Sequence, residues 1–316
     1  MRQQTRRTFL KNAFAAGAGA ALAASEVGPL SCVWGAEAAF RPKYAICNET
    51  FQDWPFDKAF AFSAECGYTG VEIAPFTISK YVTDVSAARR KEIRRQAEKA
   101  GLEIIGLHWL LAKTEGFYLT SPDAAVRKKT SAYLGELARM CADFGGKILV
   151  LGSPKQRDLL PGVSRDAAMK YATDVLAAVM PTLEKCGVVA ALEPLSPKET
   201  NFMNTAADGV ELAKLVDSPY CRLHLDCKAM SSEPTPIPEL IRRYKSWMVH
   251  FHANDPNLQG PGFGKLDFVP IFNALADVDY RGWVSVEVFD YTPGLERLAR
   301  ESIRYMKECA GKVSVQ

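Results

Sequence analysis

Six side chains able to hold a cation or move a proton stand at the ends of short apolar runs: Glu72, His108, Glu193, Asp226, His252 and Glu287. The chain has only four histidines, at 108, 224, 250 and 252, and every one falls within such a run. Side chains alternate along an extended strand, so His224 shares a face with Asp226 and His250 with His252. The residue nearer each run's end, Asp226 or His252, should reach the mouth. His224 and His250 are then expected one layer deeper, as hydrogen-bonded core histidines. Two Glu, one Asp and one His converging on one mouth would make an oxygen-rich site with a single imidazole. That donor set suits one divalent cation, Mn2+ first, with Mg2+ or Co2+ as alternatives, and not a thiolate zinc site. Carboxylates gathered there without a cation would repel one another. Eight cysteines are scattered without a C-x-x-C pair, so neither a zinc ribbon nor a disulfide framework is indicated.

The elements that must position these residues are legible from periodicity. The apolar runs are Tyr44–Cys47, Gly70–Ile73, Glu103–His108, Lys147–Leu151, Val188–Glu193, Arg222–Asp226, Met248–His252 and Trp283–Glu287. Each is short and rich in Val, Ile, Leu or Phe, as expected of parallel strands buried on both faces. Between them lie stretches with helical spacing, among them Ala124–Phe144, Asp166–Cys186, Ala206–Val216 and Gly294–Cys309. Strand ends recur every 25 to 43 residues, the length of a strand–loop–helix unit. Eight such units predict a single-domain (β/α)8 barrel over residues 39–316, with its chemistry at the C-terminal strand ends. A doubly wound open sheet is the alternative, but Asn48-Glu49-Thr50-Phe51 after the first strand is unlike a phosphate turn.

Residues 1–38 read as a cleavable export signal rather than as part of the fold. Arg6-Arg7 precedes a stretch of mostly Ala, Gly and Phe, and Ala36-Glu37-Ala38 makes a small-x-small processing site. The paired arginines resemble a twin-arginine signal, which implies the folded-protein export machinery as a partner and a periplasmic location. Setting this segment aside leaves a net charge of +1 out of the chain's +3. So balanced a body carries no nucleic-acid footprint. No apolar run reaches the roughly 18 residues of a membrane-spanning helix, so stable membrane insertion is not expected. A homo-oligomer is left open.

Several motifs resemble the xylose isomerase-like TIM barrels: Val189–Phe202 with Glu193 and Glu199, Leu225-Asp226, His250-Phe-His252, Gly260-Pro-Gly-Phe-Gly264 and Val284-Ser-Val-Glu287. Within that family the likeness is to ketose 3-epimerases of the tagatose/psicose type, with hydroxypyruvate isomerase and inosose dehydratase as neighbours. The resemblance implies that Glu193, Asp226, His252 and Glu287 hold a metal, that Glu193 and Glu287 are the acid/base pair, and that Glu199 contacts a substrate hydroxyl. Two departures bear on the substrate. The family's substrate-binding His, three residues after the metal Asp, is Ala229, and residues 253–264 lack the family's Arg. Endonuclease IV shares the barrel but needs a many-histidine zinc site, which four histidines do not supply.

The chemistry expected is proton transfer beside a carbonyl of a sugar or keto-sugar. A divalent ion chelating a carbonyl oxygen and the adjacent hydroxyl acidifies the C–H between them. One carboxylate can take that proton and another return it from the opposite face, giving epimerisation. Return to the neighbouring carbon gives isomerisation, and loss of a β-substituent makes the protein a lyase or dehydratase acting on keto-sugars or 3-keto-glycosides. A non-catalytic sugar-binding barrel is a further alternative, against which the pairing of Glu193 with Glu287 speaks. His108, Trp109, Lys228 and Lys265 are expected to contact the substrate, and Phe51 and Trp54 could wall one sugar face. Gly260–Gly264 is glycine-rich but matches no nucleotide-binding loop.

Overall fold

The computed structural model describes residues 40–313; the expected export signal lies outside them. Eight parallel strands close on themselves in chain order: β1 (Lys43–Cys47), β2 (Gly70–Ile73), β3 (Glu103–Leu107), β4 (Ile148–Leu151), β5 (Val189–Leu192), β6 (Cys221–Asp226), β7 (Met248–Ala253) and β8 (Trp283–Val286). The ring shuts through parallel pairing of β1 with β8. Helices α1 (Phe56–Cys66), α2 (Ala87–Lys99), α3 (Ala124–Phe144), α4 (Arg165–Cys186), α5 (Ala206–Val216), the short α6 (Cys227–Met230), α7 (Ile237–Tyr244), α8 (Val269–Asp277) and α9 (Leu295–Ala310) fill the connections. The predicted TIM barrel is the observed fold.

Local chemistry explains the boundaries. Ser164 caps α4 by accepting the Ala167 N–H, and Thr205 with Asp208 forms a reciprocal box at the start of α5. Gly145 and Gly187, with φ of 87° and 62°, stop α3 and α4 in the left-handed region that a side chain would resist. Three polar residues expected inside strands fall one residue beyond them: His108, Glu193 and Glu287. The ladder nevertheless carries on by one bond, His108 N–H to Ile73 O and Glu193 N–H to Leu151 O. Pro194, which has no N–H, then ends it for β5.

Outward strand residues build the apolar layer under the helices. Leu149 and Leu151 join Leu134, Leu137 and Leu176 in one cluster, and Phe251, Val284 and Val286 join Phe272 and Leu298 in another. Inside the ring the floor is apolar, made of Ala45, Ile105 and Trp283. Gly70 leaves space for that indole, since a Cβ there would come within 2.7 Å of the Trp283 ring. Above the floor the filling changes from hydrocarbon to polar groups. A TIM-barrel interior is ordinarily packed with Val, Ile and Leu, so this polar upper half marks the functional end.

Candidate active site

Two register shifts aim the inward residues. Leu223 pairs with Met248 but His224 with His250 and Asp226 with His252, so β7 carries one extra residue there. Val71 pairs with Ile104 but Glu72 with Gly106, so β3 carries one as well. The result is a rung of Asp226, His252 and Ser285 above a rung of His224 and His250. Glu72, His108, His224, His250 and His252 are all fully buried, and Glu49, Glu193, Asp226 and Glu287 nearly so.

Ligand atoms of Glu193, His224, Asp226 and His252 lie within 4.8 Å of one another. The expectation for His224 is thereby corrected. It does sit one rung below Asp226, but neither ring nitrogen has a hydrogen-bond partner, and Nε2 stands 3.6 Å from Glu193 Oε1. His250 does take the expected hydrogen-bonded role, with Nε2 2.8 Å from Glu72 Oε2. Asp226 accepts from the Ala229 N–H at 2.7 Å and from Asn254 Nδ2 at 2.6 Å. Each carboxylate oxygen has two lone pairs, so both can still reach a cation. Ala229, which replaces the resembling family's His, thus contributes only its backbone.

Glu287 is held from two sides, Oε1 by Trp109 Nε1–H at 2.7 Å and Oε2 against His252 Nδ1 at 3.0 Å. Its carboxylate groups with Glu49 and His108, and of the other three expected ligands its contact is with His252. Trp109 reaches it from a left-handed backbone, φ 52°, a conformation that non-glycine residues adopt at a cost. The two proposed bases differ in electrostatic setting. Burial, then the charges of Glu287 and Asp226, push the Glu193 carboxyl well up. Burial would raise Glu287 too, but the charge and hydrogen bond of His252 outweigh it and bring that carboxyl to about 2.

The surrounding residues fall into place around this pair. Gly152, just past β4, has no room for a side chain, because a Cβ would lie 1.6 Å from Glu193 Oε2. The fully buried Arg157 donates to the Glu193 carbonyl at 2.7 Å and ties the ends of β4 and β5 together. Lys228 donates to Glu199 Oε1 at 2.5 Å, with its ammonium 3.9 Å from the Phe289 ring centroid. Glu199 is also fixed by Ser196, whose hydroxyl donates at 2.7 Å. His108 lies 2.6 Å from Glu49 Oε2. Phe51 and Trp54 pack on each other and on Phe62 of α1, so their faces serve packing within the loop. Lys265 is exposed on the loop after β7 and joins none of these contacts.

The donors fit a divalent cation. Carboxylate and imidazole atoms converge, the His224 nitrogens lack partners, and Glu193 is destabilised as an anion by burial and then by its neighbours. Sequence spacing missed Glu49, Gly152, Arg157, Asn254 and the approach of His224. Period-two extension past β7 would have found Asn254, which follows His252 by two residues, whereas Glu49 lies in a 3-10 turn, Asn48–Phe51, that strand alternation does not reach. Gly152 and Arg157 carry no comparable signal.

Known proteins share this fold. The description "Xylose isomerase-like TIM barrel" matches residues 60–309. A D-psicose 3-epimerase of Ruminiclostridium cellulolyticum is 28% identical over 242 residues, covering 75% of this chain and 80% of that protein. A probable ketose 3-epimerase of Synechocystis is 26% identical over 263 residues, covering 77% and 86%. Among solved structures, a D-psicose 3-epimerase with D-tagatose from Clostridium cellulolyticum H10 superposes with a TM-score of 0.74 at 23% identity, covering 85% of this chain and 99% of that one.

Proposed function

Since the chain belongs to the xylose isomerase-like TIM-barrel family, we propose that it is a metal-dependent carbohydrate epimerase that moves a proton on the carbon beside a ketose carbonyl. The observation that carries this is the pair Glu193 and Glu287. They end β5 and β8, with β6 and β7 between them on one side of the ring and β1 to β4 on the other, and they have opposite electrostatic settings. Environments that drive two carboxyls apart assign one the acid role and the other the base role.

Glu193, Asp226 and His252 would hold one divalent cation with Glu287, and His224 is close enough to join them. Mn2+ is our first choice, with Mg2+ or Co2+ accepted by the same oxygen and imidazole donors. Such an ion polarises a carbonyl and lowers the acidity barrier at the neighbouring carbon. The ionised Glu287 takes a proton from one face of that carbon, its reach fixed by the Trp109 and His252 contacts. Glu193, whose setting favours taking up a proton, would draw one from solvent and deliver it on the other face, while Glu287 gives its own back to solvent. Glu199 and Lys228, already paired, offer an acceptor and a donor to sugar hydroxyls, and His108 with Glu49 closes the wall beside Glu287. The relatives named as ketose 3-epimerases support this reading.

A second reading, elimination from a keto-sugar or 3-keto-glycoside, is favoured by one observation. The substrate contacts that epimerases take from a His and an Arg are missing at Ala229 and across residues 253–264. Incubation with ketoses and keto-glycosides in deuterated water separates the two. An epimerase leaves one deuterium at an inverted carbon, whereas elimination releases a substituent and an unsaturated product. Glu193→Gln and Glu287→Gln, each shown to retain its ion, should lose about 10²–10⁴-fold in rate. Turnover with no solvent deuterium in any product would refute the proposal.

A further inference from the structure

Resting on the cation site just described, we propose that Glu72 is a positioning residue that holds the Nε2 proton of His252 and so presents Nδ1 to the cation. An imidazole can lend a lone pair only from a nitrogen without hydrogen, so the proton of the neutral ring must be kept on the other one. His252 faces a different carboxylate with each nitrogen. Nδ1 is 3.0 Å from Glu287 Oε2, on the side of the catalytic pair, and Nε2 is 3.2 Å from Glu72 Oε2. An ionised carboxylate is an acceptor only, so either one can hold a ring hydrogen; a cation seated beside Glu287 would take the place of the hydrogen on Nδ1, and Glu72 would keep the one on Nε2.

Glu72 is otherwise hard to explain. It is fully buried on β2, in a layer where TIM barrels place aliphatic side chains, and a buried carboxylate is expensive unless its partners compensate. Its partners are the imidazoles. Oε2 accepts from both His250 and His252, while Oε1 has no hydrogen bond and stands 3.9 Å from His108 Nδ1. His250 in turn braces Glu72 from below. The His252 ring cannot turn away freely, since His224 packs edge-on with centroids 4.1 Å apart and Cys47 Sγ lies 3.9 Å from Nε2. Carboxylate, imidazole and cation in this order both orient the ring and raise its basicity.

The test is calorimetric titration of Mn2+ into the chelator-stripped full chain, wild type against Glu72→Gln and Glu72→Leu, with melting temperatures recorded without metal. Loss of the outer carboxylate should weaken Mn2+ binding roughly 10–100-fold. A role confined to packing would lower the melting temperature and leave the affinity unchanged. In Mg2+-loaded wild type, NMR should show a slowly exchanging His252 Nε2–H, which Glu72→Leu should lose. The near-isosteric Gln variant decides the matter if the Leu variant does not fold. Wild-type affinity in a folded Glu72→Gln protein would overturn the positioning role alone. A wild-type protein that binds no Mn2+ would overturn the cation site, and this proposal with it.

Discussion

Gly152→Ala isolates the position of one carboxylate from everything else in the barrel. The added Cβ would lie 1.6 Å from Glu193 Oε2 and 2.8 Å from its Cδ. Ordinary contact needs about 3.5 Å, so the carboxylate must retreat by roughly 1.5–2 Å. The backbone offers no resistance, because Gly152 is not among the glycines with positive φ. What gives way is the end of a flexible side chain, so the overpacking cost sits near the low end, about 1 kcal/mol. Reduced freedom of the unfolded chain offsets about 0.4–1 kcal/mol of that. The melting temperature of the metal-free protein should therefore move by no more than about 2–4 °C. Function has no such cushion, since a misplacement of about 1 Å at a reacting group costs on the order of 100-fold in rate. Mn2+ affinity by calorimetry and proton exchange in deuterated water should both fall at least that far. In a Glu193→Ala background the same substitution should add no further loss, because the clashing atoms are gone. Unimpaired Mn2+ affinity and exchange in Gly152→Ala would refute the placement of Glu193 and the role built on it.

Two further outcomes follow from the same site and from the N-terminal segment. Stripping the metal should lower the melting temperature and Mn2+ or Co2+ should restore it, by about 2.7 kcal/mol at a hundredfold excess over Kd; Asp226→Ala with unchanged metal content, or a wild-type protein holding several zinc ions, would refute the assignment. We propose that Arg6 and Arg7 direct export to the periplasm, so replacing both with Lys should trap a full-length precursor in the cytoplasm, and normal export of that variant would remove the twin-arginine reading.

The barrel was legible because its strands are short, apolar and evenly spaced, and because strand ends are where such a fold puts chemistry. That rule points to Glu72, His108, Glu193, Asp226, His252 and Glu287, and the family resemblance narrows the expected ligands to Glu193, Asp226, His252 and Glu287. Their contacts were not legible in this way. Trp109 and Glu287 are 178 residues apart, and His108 and Glu49 are 59 apart, so closure of the ring and not local spacing brings them together. The depth of His224 was read correctly from alternation, yet its approach to Glu193 was not, because that contact depends on how β5 pairs with β6. Gly152 escaped for a simpler reason: its contribution is the absence of a side chain, which only the position of Glu193 reveals.

Charge balance is the reason the proposed cation is placed beside Glu193. Glu72 is compensated by His250 and His252, Glu287 by His252, and Glu49 by His108. Asp226 is met by Asn254 and a backbone N–H at the start of α6, and the charge of Lys228 acts on it as well. Among the described residues no side chain donates a hydrogen bond to the Glu193 carboxylate, and burial with the charges of Glu287 and Asp226 outweighs the attraction of His252 and Lys228. The facing imidazole, His224, is 3.6 Å away, and burial followed by the charges of His252 and His250 keeps its pKa low, so it brings no positive charge. Arg157 donates from Nη1 to the carbonyls of Leu151 and Glu193, so its contact is with the Glu193 backbone and not with the carboxylate, although the two charges attract each other. A buried carboxylate so placed must either keep its proton or meet a cation. The two options exclude each other: a Glu193 that stays protonated when Mn2+ is present would hold no ion and could not alternate with Glu287. Infrared detection of its carbonyl stretch, assigned through Glu193→Gln, should show a protonated acid in the metal-free protein that disappears on adding Mn2+. A band that persists at saturating Mn2+ would show the cation to be bound elsewhere.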